Sequence, residues 1–249
     1  MTETSSSSSA AAPLLVPETA LFLDFDGTLA PLQDDPNTVA LPEDGAALLI
    51  QLNTILNGGL VLISGRGVAD LSARTPQALL RIGAHGLEVC EPGAPAEPMA
   101  QTLPAHLTVS IESTIKGLPG VRLEEKGRVA AIHYRQNPAA GPNLVKDLSA
   151  LVASMTDYRI QHGKMVIEMK PADANKGVAL RAICARPSFQ DRVPVMVGDD
   201  TTDEDAIRVA QALGGYGIKV GDGETSADYR LADPDAVWTW IRETVNEHA

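Results

Sequence analysis

Residues 20–23, Ala-Leu-Phe-Leu, form a short unbroken apolar run that stops at Asp24 and continues as Phe25-Asp26-Gly27-Thr28. A strand with one wet face alternates apolar and polar residues. A continuous apolar run of this length instead reads as a strand covered on both faces, the situation of a parallel sheet flanked by helices. The same pattern recurs along the chain. Gly59-Leu60-Val61-Leu62-Ile63 runs into Ser64-Gly65-Arg66, Leu79–Gly83 into Ala84-His85-Gly86, and Val193–Val197 into Gly198-Asp199-Asp200. Between the first of these runs, Leu41–Leu56 has helical apolar spacing behind Pro42, and Val68–Ser72 reads as a shorter helix. Two strand–helix–strand crossovers in succession predict an α/β fold with a doubly wound, Rossmann-like parallel sheet.

The pattern changes after residue 90. Glu91–Pro104 is rich in Pro, Gly and Ala and reads as a linker. A helix is expected over about Ala105–Lys116, strands over Val121–Glu125 and Val129–Arg135, a helix over about Pro142–Met155, and strands over Tyr158–Gln161 and Met165–Met169. Helix–strand–strand thus occurs twice, which predicts a small α+β module inserted in the larger fold. The α/β pattern then resumes with a helix over about Lys176–Ala185, the strand at Val193–Val197 and a helix over Ala206–Ala212. Strands at Tyr216–Val220 and Tyr229–Leu231 and a closing helix over Val237–Asn246 complete the chain. The expected organisation is a disordered Ser/Ala-rich tail over 1–16, a core built from 17–103 and 171–249, and an inserted cap domain over 104–170.

Composition narrows the partners. The chain has 249 residues, 20 Lys+Arg against 32 Asp+Glu, and a net charge of -12. A polyphosphate backbone needs a basic stripe, and an anionic membrane surface needs a polybasic segment, so nucleic acid and membrane are excluded as expected partners. A small anion held through a metal ion is not excluded. No apolar run nears the roughly 18 residues of a membrane span, and the N-terminus lacks the basic and apolar regions of a signal peptide. Cys90 and Cys184 stand far apart with no metal-ligand spacing. A reducing, cytoplasmic setting and a monomer are the expectation.

Open α/β sheets bind ligands outside the carboxyl ends of their strands, where this chain puts its acids. Asp24, Asp26, Asp199 and Asp200 converging on one crevice would repel one another strongly unless a cation lay among them, and oxygen ligands of this kind suit Mg²⁺ with a substrate phosphate. Asp24, at a strand end, can act as an in-line nucleophile. Asp26, two residues on, can protonate a leaving oxygen and then deprotonate water. Gly27 permits the tight turn, and backbone N–H groups with Thr28 can hold phosphoryl oxygens. A dinucleotide site is excluded, since no Gly-x-Gly-x-x-Gly follows the first strand.

This order of motifs resembles the haloacid dehalogenase superfamily of phosphatases. The resemblance implies Asp24 as nucleophile, Asp26 as general acid/base, Ser64 and Gly65 with Thr28 at the phosphate, and Lys176 as the cation neutralising Asp24 and the phosphate. It implies Mg²⁺ held by Asp24, the Asp26 carbonyl and Asp199, with Asp200 in or next to the coordination sphere. From about residue 20 to 240 the chain is similar, more narrowly, to the trehalose-6-phosphate phosphatase family. That similarity rests on Leu23–Pro31, Ser64-Gly65-Arg66, Gly83–Glu88, Glu124-Glu125-Lys126-Gly127, Ala131–Arg135, Glu168–Pro171, Asn175-Lys176-Gly177 and Gly198–Asp205. It implies hydrolysis of trehalose 6-phosphate through an aspartyl-phosphate, under a cap whose Glu124, Lys126 and Glu168 bind sugar hydroxyls.

Several residues keep two readings. Arg66, His85 and Arg135 either contact substrate or brace loops. His133 and Tyr134 either contact substrate or pack the cap. Asp203 either serves only the start of its helix or supports the metal. Lys170 reads as a hinge-region charge. The rival activities are a phosphatase for another sugar phosphate, such as sucrose phosphate or glucosylglycerate phosphate, a phosphomutase, and a non-enzymatic phospho-Asp receiver.

Overall fold

The structure is a computed structural model describing residues 11–97, 102–153, 155–163 and 165–248. The chain forms two compact units. One takes the chain up to Ala96 and resumes at Asn175; the other runs from Glu97 to Ala174.

The first unit begins with β1 (Thr19–Leu23), α1 (Gly45–Ile55), β2 (Leu60–Ile63), α2 (Val68–Arg74), β3 (Leu80–Gly83) and β4 (Glu88–Cys90). The second unit holds α3 (Ala105–Ile115), β5 (Arg122–Lys126), β6 (Val129–His133), α4 (Gly141–Val152), β7 (Tyr158–Gly163) and β8 (Val166–Pro171). The chain returns to the first unit with α5 (Lys176–Cys184), β9 (Val193–Gly198), α6 (Thr201–Ala212), β10 (Tyr216–Val220), β11 (Tyr229–Leu231) and α7 (Pro234–Glu247).

In the first unit the seven strands lie in the order β11-β10-β9-β1-β2-β3-β4. Every neighbouring pair is parallel except β3 with β4. The period of two in a strand sends alternate side chains to opposite layers. Leu21 and Leu23 of β1, with Val195 and Val197 of β9, pack against α1 and α7 through Leu49, Leu52, Trp238 and Ile241. Ala20 and Phe22, with Met196, pack on the other side against Leu180 and Ile183 of α5 and Ile207 of α6. This is a mostly parallel α/β sheet, and the apolar runs are continuous because neither face is wet.

The second unit is an antiparallel sheet, β5-β6-β8-β7. Ala130, Ile132, Ile167 and Met169 form its inner face and pack on Leu107 and Ile111 of α3 and Leu144 and Leu148 of α4.

Three boundaries differ from those expected. The second unit is wider than 104–170, because Leu103 is buried in its core and Arg159 Nη2 donates to the Ala174 carbonyl at 2.6 Å. The tail expected to be disordered over 1–16 is held at its C-terminal end. There Leu15 is 1% exposed, and the Trp240 indole of α7 donates to the Pro13 carbonyl at 2.9 Å. The part over residues 1–10 lies outside the described residues. Helix α6 begins at Thr201, ahead of the expected Ala206, because Asp200 and Asp203 close a capping box at its N-terminus. Among the described residues no helix is long and apolar enough to cross a membrane.

Candidate active site

β1 lies between β2 and β9, both parallel to it, and the chain leaves its carboxyl end toward one side while β9 arrives from the other. Connections that diverge in this way open a crevice at the strand ends. Asp24 follows β1, held by its N–H donating to the Val197 carbonyl at 3.0 Å, and Asp199 follows β9. The loop after β1 is anchored from below by the buried Trp238 indole, which donates to the Leu29 carbonyl at 2.8 Å.

Lys176 is the first residue of α5. Its neighbour Asn175 caps that helix, accepting from the N–H groups of Gly177 and Val178, and its amide donates to Asp205 Oδ2 at 2.6 Å. This bond ties the start of α5 to the start of α6 and aims Lys176 into the crevice. Its Nζ donates to Asp24 Oδ1 and Asp203 Oδ1, both at 2.7 Å, and the three residues are 3%, 4% and 0% exposed.

Asp24, Asp199 and Asp203 each offer a carboxylate oxygen within 4.8 Å of the other two. One ammonium faces three acids, and the surplus shows in their protonation. Burial pushes the Asp24 carboxyl well above the usual range; Lys176 opposes this, while the Asp203 and Asp199 charges add to it. Burial and the Asp203 charge push Asp199 up to about 6. The two acids outweigh burial at Lys176 and hold it firmly cationic. A buried oxygen donor set with excess negative charge fits a hard divalent cation.

Gly27 is required twice over. Its φ is +80, and a Cβ there would lie 2.1 Å from Asp199 Oδ2. Only a residue without a side chain lets the turn after Asp26 approach the β9 acid. Thr28 is buried, with Oγ1 3.4 Å from Asp24 Oδ2 and 3.5 Å from Asp199 Oδ1.

Asp26 does not join this cluster. Its carboxylate is gripped by the Arg66 fork, Nε to Oδ2 at 2.7 Å and Nη2 to Oδ1 at 2.6 Å. Arg66 also donates to the Pro36 carbonyl at 2.9 Å and to Asp70 Oδ2 at 2.6 Å, so it braces loops. Ser64 is buried at the end of β2, its Oγ accepting from the Arg66 N–H at 3.1 Å. The His85 ring packs on Gly65, where a Cβ would stand 2.8 Å from its Cε1, and the His85 N–H donates to the Ser64 carbonyl at 3.0 Å. Asp200 is exposed; it caps α6, accepting from the Thr201 N–H at 2.7 Å.

In the second unit the register sets Glu124 opposite Ala131 and Ala131 opposite Glu168, so both glutamates share a face, with Lys126 two residues beyond Glu124. Glu124 Oε2 lies 3.7 Å from Lys126 Nζ and 2.7 Å from His133 Nε2. Arg135 is exposed beyond the end of β6, one turn of chain past the strand it was expected to close.

Sequence reasoning left one of these partners open and did not find three others. Asp203, whose role was left open, is a full member of the carboxylate cluster; its signal was the acid three residues after the cap Asp200. Asp70 and Arg74 complete a 66/70/74 spacing visible in the sequence. Lys219 of β10 is buried and donates to the main-chain carbonyls of Asp199 and Val220, bonds that no motif announces.

Comparison with known proteins completes the picture. The family model for trehalose-phosphatase matches residues 22–235. The chain is 35% identical over 232 residues to trehalose-6-phosphate phosphatase of Escherichia coli, covering 92% of this chain and 87% of that protein. It is 39% identical over 206 residues to a probable trehalose-phosphate phosphatase of Sinorhizobium fredii, covering 81% and 77%. The C-terminal domain of the Candida albicans trehalose-6-phosphate phosphatase superposes with a TM-score of 0.78 at 23% identity, covering 92% of each chain.

Proposed function

Because the chain belongs to the trehalose-phosphatase family, a family of phosphoric monoester hydrolases, we propose that it hydrolyses trehalose 6-phosphate to trehalose and phosphate through phospho-Asp24. In the first step a carboxylate oxygen of Asp24 attacks phosphorus. The bond to the sugar oxygen breaks, and Asp26 gives that oxygen its proton. In the second step Asp26 takes a proton from water, whose oxygen attacks the same phosphorus. The acyl phosphate bond breaks, and Asp24 returns with inorganic phosphate.

The observation that carries this reading is the buried Asp24–Lys176–Asp203 chain beside Asp199. Lys176 opposes the burial that raises the Asp24 carboxyl and offsets charge on the phosphoryl group. A divalent cation, Mg²⁺ in this reading, would be held by Asp24, the Asp26 carbonyl and Asp199, with Asp203 in support of Asp199, and it neutralises the transferring oxygens when bound. Thr28 and Ser64 take phosphate oxygens. Glu124, Lys126 and Glu168 take hydroxyls of the disaccharide, and His133 orients Glu124. The reaction is assigned to the cytoplasm.

Phosphate release from a panel of sugar phosphates, with Mg²⁺ and with EDTA, tests the reading. Trehalose 6-phosphate is expected to be turned over at least tenfold better than sucrose phosphate or glucosylglycerate phosphate, EDTA to abolish turnover, and Asp24→Asn to leave no hydroxylamine-labile phosphoenzyme. Equal turnover of all members, or phosphate release by Asp24→Asn near the wild-type rate, overturns it.

A further inference from the structure

Arg66, Asp70 and Arg74 are spaced by four residues along α2 and its approach, and they form a continuous ladder of alternating charge. Arg66 Nη1 donates to Asp70 Oδ2 at 2.6 Å, and Arg74 Nε donates to Asp70 Oδ1 at 3.0 Å. Arg74 Nη1 reaches on to the carbonyls of Asn37 at 3.1 Å and Val39 at 2.7 Å. At the other end of the ladder is the two-point grip of Arg66 on Asp26.

A guanidinium has five N–H donors fixed in one plane. Here two go to Asp26, one to the Pro36 carbonyl and one to Asp70, and the Phe25 ring lies 5.5 Å from the guanidinium carbon. The plane of Arg66 therefore dictates the plane of the Asp26 carboxylate. Asp70 is a second acid bonded to Arg66. It fixes the end of the fork turned away from Asp26, and Arg74 fixes Asp70 in turn.

We infer that Asp70, braced by Arg74, is a positioning residue for leaving-group protonation, acting through Arg66 on the orientation of Asp26. The inference rests on the assignment of Asp26 as general acid/base made above. Energetics agree with a positioning role more than with a stabilising one. The Asp70 side chain is 44% exposed, and exposed ion pairs contribute little to stability. General acid catalysis, by contrast, contributes about 10²–10⁴-fold, and a displacement of about 1 Å can cost 10²-fold. The ladder matters little to folding and much to aim.

The leaving group separates aim from mere structure. A sugar oxygen must be protonated as it departs, whereas p-nitrophenolate leaves as an anion and gains little from Asp26. Asp70→Asn is expected to lower the single-turnover rate of phosphoenzyme formation from trehalose 6-phosphate about 5- to 20-fold, to change substrate affinity little, and to lower the same rate from p-nitrophenyl phosphate less than about 2-fold. In an Asp26→Asn background the same substitution should change nothing further. Arg74→Gln should give the same selectivity in weaker form, which keeps the test open if Asp70→Asn folds poorly. Equal losses on the two substrates, no loss on either, or additive losses in the double variant overturn the inference. If Asp26→Asn alone slows single-turnover phosphoenzyme formation from both substrates equally, the assignment of Asp26 as the leaving-group acid fails instead, and the two failures are told apart.

Discussion

The surplus of negative charge at the carboxylate cluster has a measurable consequence for the metal-free protein. Asp199 has a folded-state pKa of about 6 against an ordinary value of 3.8. With the folded value above the unfolded one, the folded state binds the extra proton, so stability falls as pH rises from about 4 to about 6 and then levels off. At about 1.4 kcal/mol per unit, the full penalty at pH 7 is about 3 kcal/mol. Asp199→Asn removes the charge and keeps the shape. In EDTA at pH 7 the variant is expected to be about 1–3 kcal/mol more stable than wild type while releasing no phosphate. Its advantage should be about 1 kcal/mol smaller at pH 5, where Asp199 in the folded wild type is already protonated. The assay is chemical denaturation of both proteins at pH 5 and pH 7, in EDTA and in excess Mg²⁺. Mg²⁺ should reverse the order, since an ion binding only the folded wild type stabilises it by mass action. If Asp199→Asn were less stable than wild type in EDTA at pH 7, or its advantage did not depend on pH, the argument from carboxylate repulsion would fail.

Two other perturbations act on the same cluster. Lys176→Met leaves Asp24 and Asp203 buried without their ammonium. Removing one partner from a buried ion pair costs about 3–5 kcal/mol, which denaturation in EDTA reads directly, and hydrolysis should be lost with it. Gly27→Ala imposes a positive φ on a residue with a Cβ and drives that atom into Asp199. It should cost about 1–2 kcal/mol for the backbone alone and raise the Mg²⁺ concentration needed for half-maximal activity, measured by metal titration.

Much of this architecture was legible because burial writes itself into composition. β1, β2 and β9 are read directly from Phe22, Val61 and Val195 and their neighbours, apolar on both faces because both faces are covered. β4 was hidden for the opposite reason. It is a three-residue edge strand in which Cys90 alone is buried, so no period shows. The apolar spacing set the start of α6 at Ala206, although Asp203 and Glu204 read as first-turn acids; the capping box of Asp200 and Asp203 starts it at Thr201. At the site, Asp24 and Asp199 were marked by their place at strand ends. Asp203 was ambiguous because an acid in a first helical turn is favourable for the helix dipole alone. Lys219 left no trace, since its partners are main-chain carbonyls that every residue carries. The repeated helix–strand–strand order led to the expectation of an inserted unit over 104–170, whereas the second compact unit runs from Glu97 to Ala174. Leu103 and Ala174 lie in segments whose composition reads as linker, while their contacts belong to the second core.

The sheet order also governs when this site can exist. Strand β1 comes from the beginning of the chain and its neighbour β9 from near the end; Thr28 and Asp199 face each other 171 positions apart. At a synthesis rate of about 5–20 residues per second, roughly 10–30 s separate their emergence from the ribosome. Throughout that interval the apolar strand leading to Asp24 has β2 on one edge and an open edge on the other. A nascent or truncated chain therefore carries Asp24 but neither Lys176 nor Asp199. The cluster of Asp24, Lys176, Asp199 and Asp203 can form only after the later half of the chain is made.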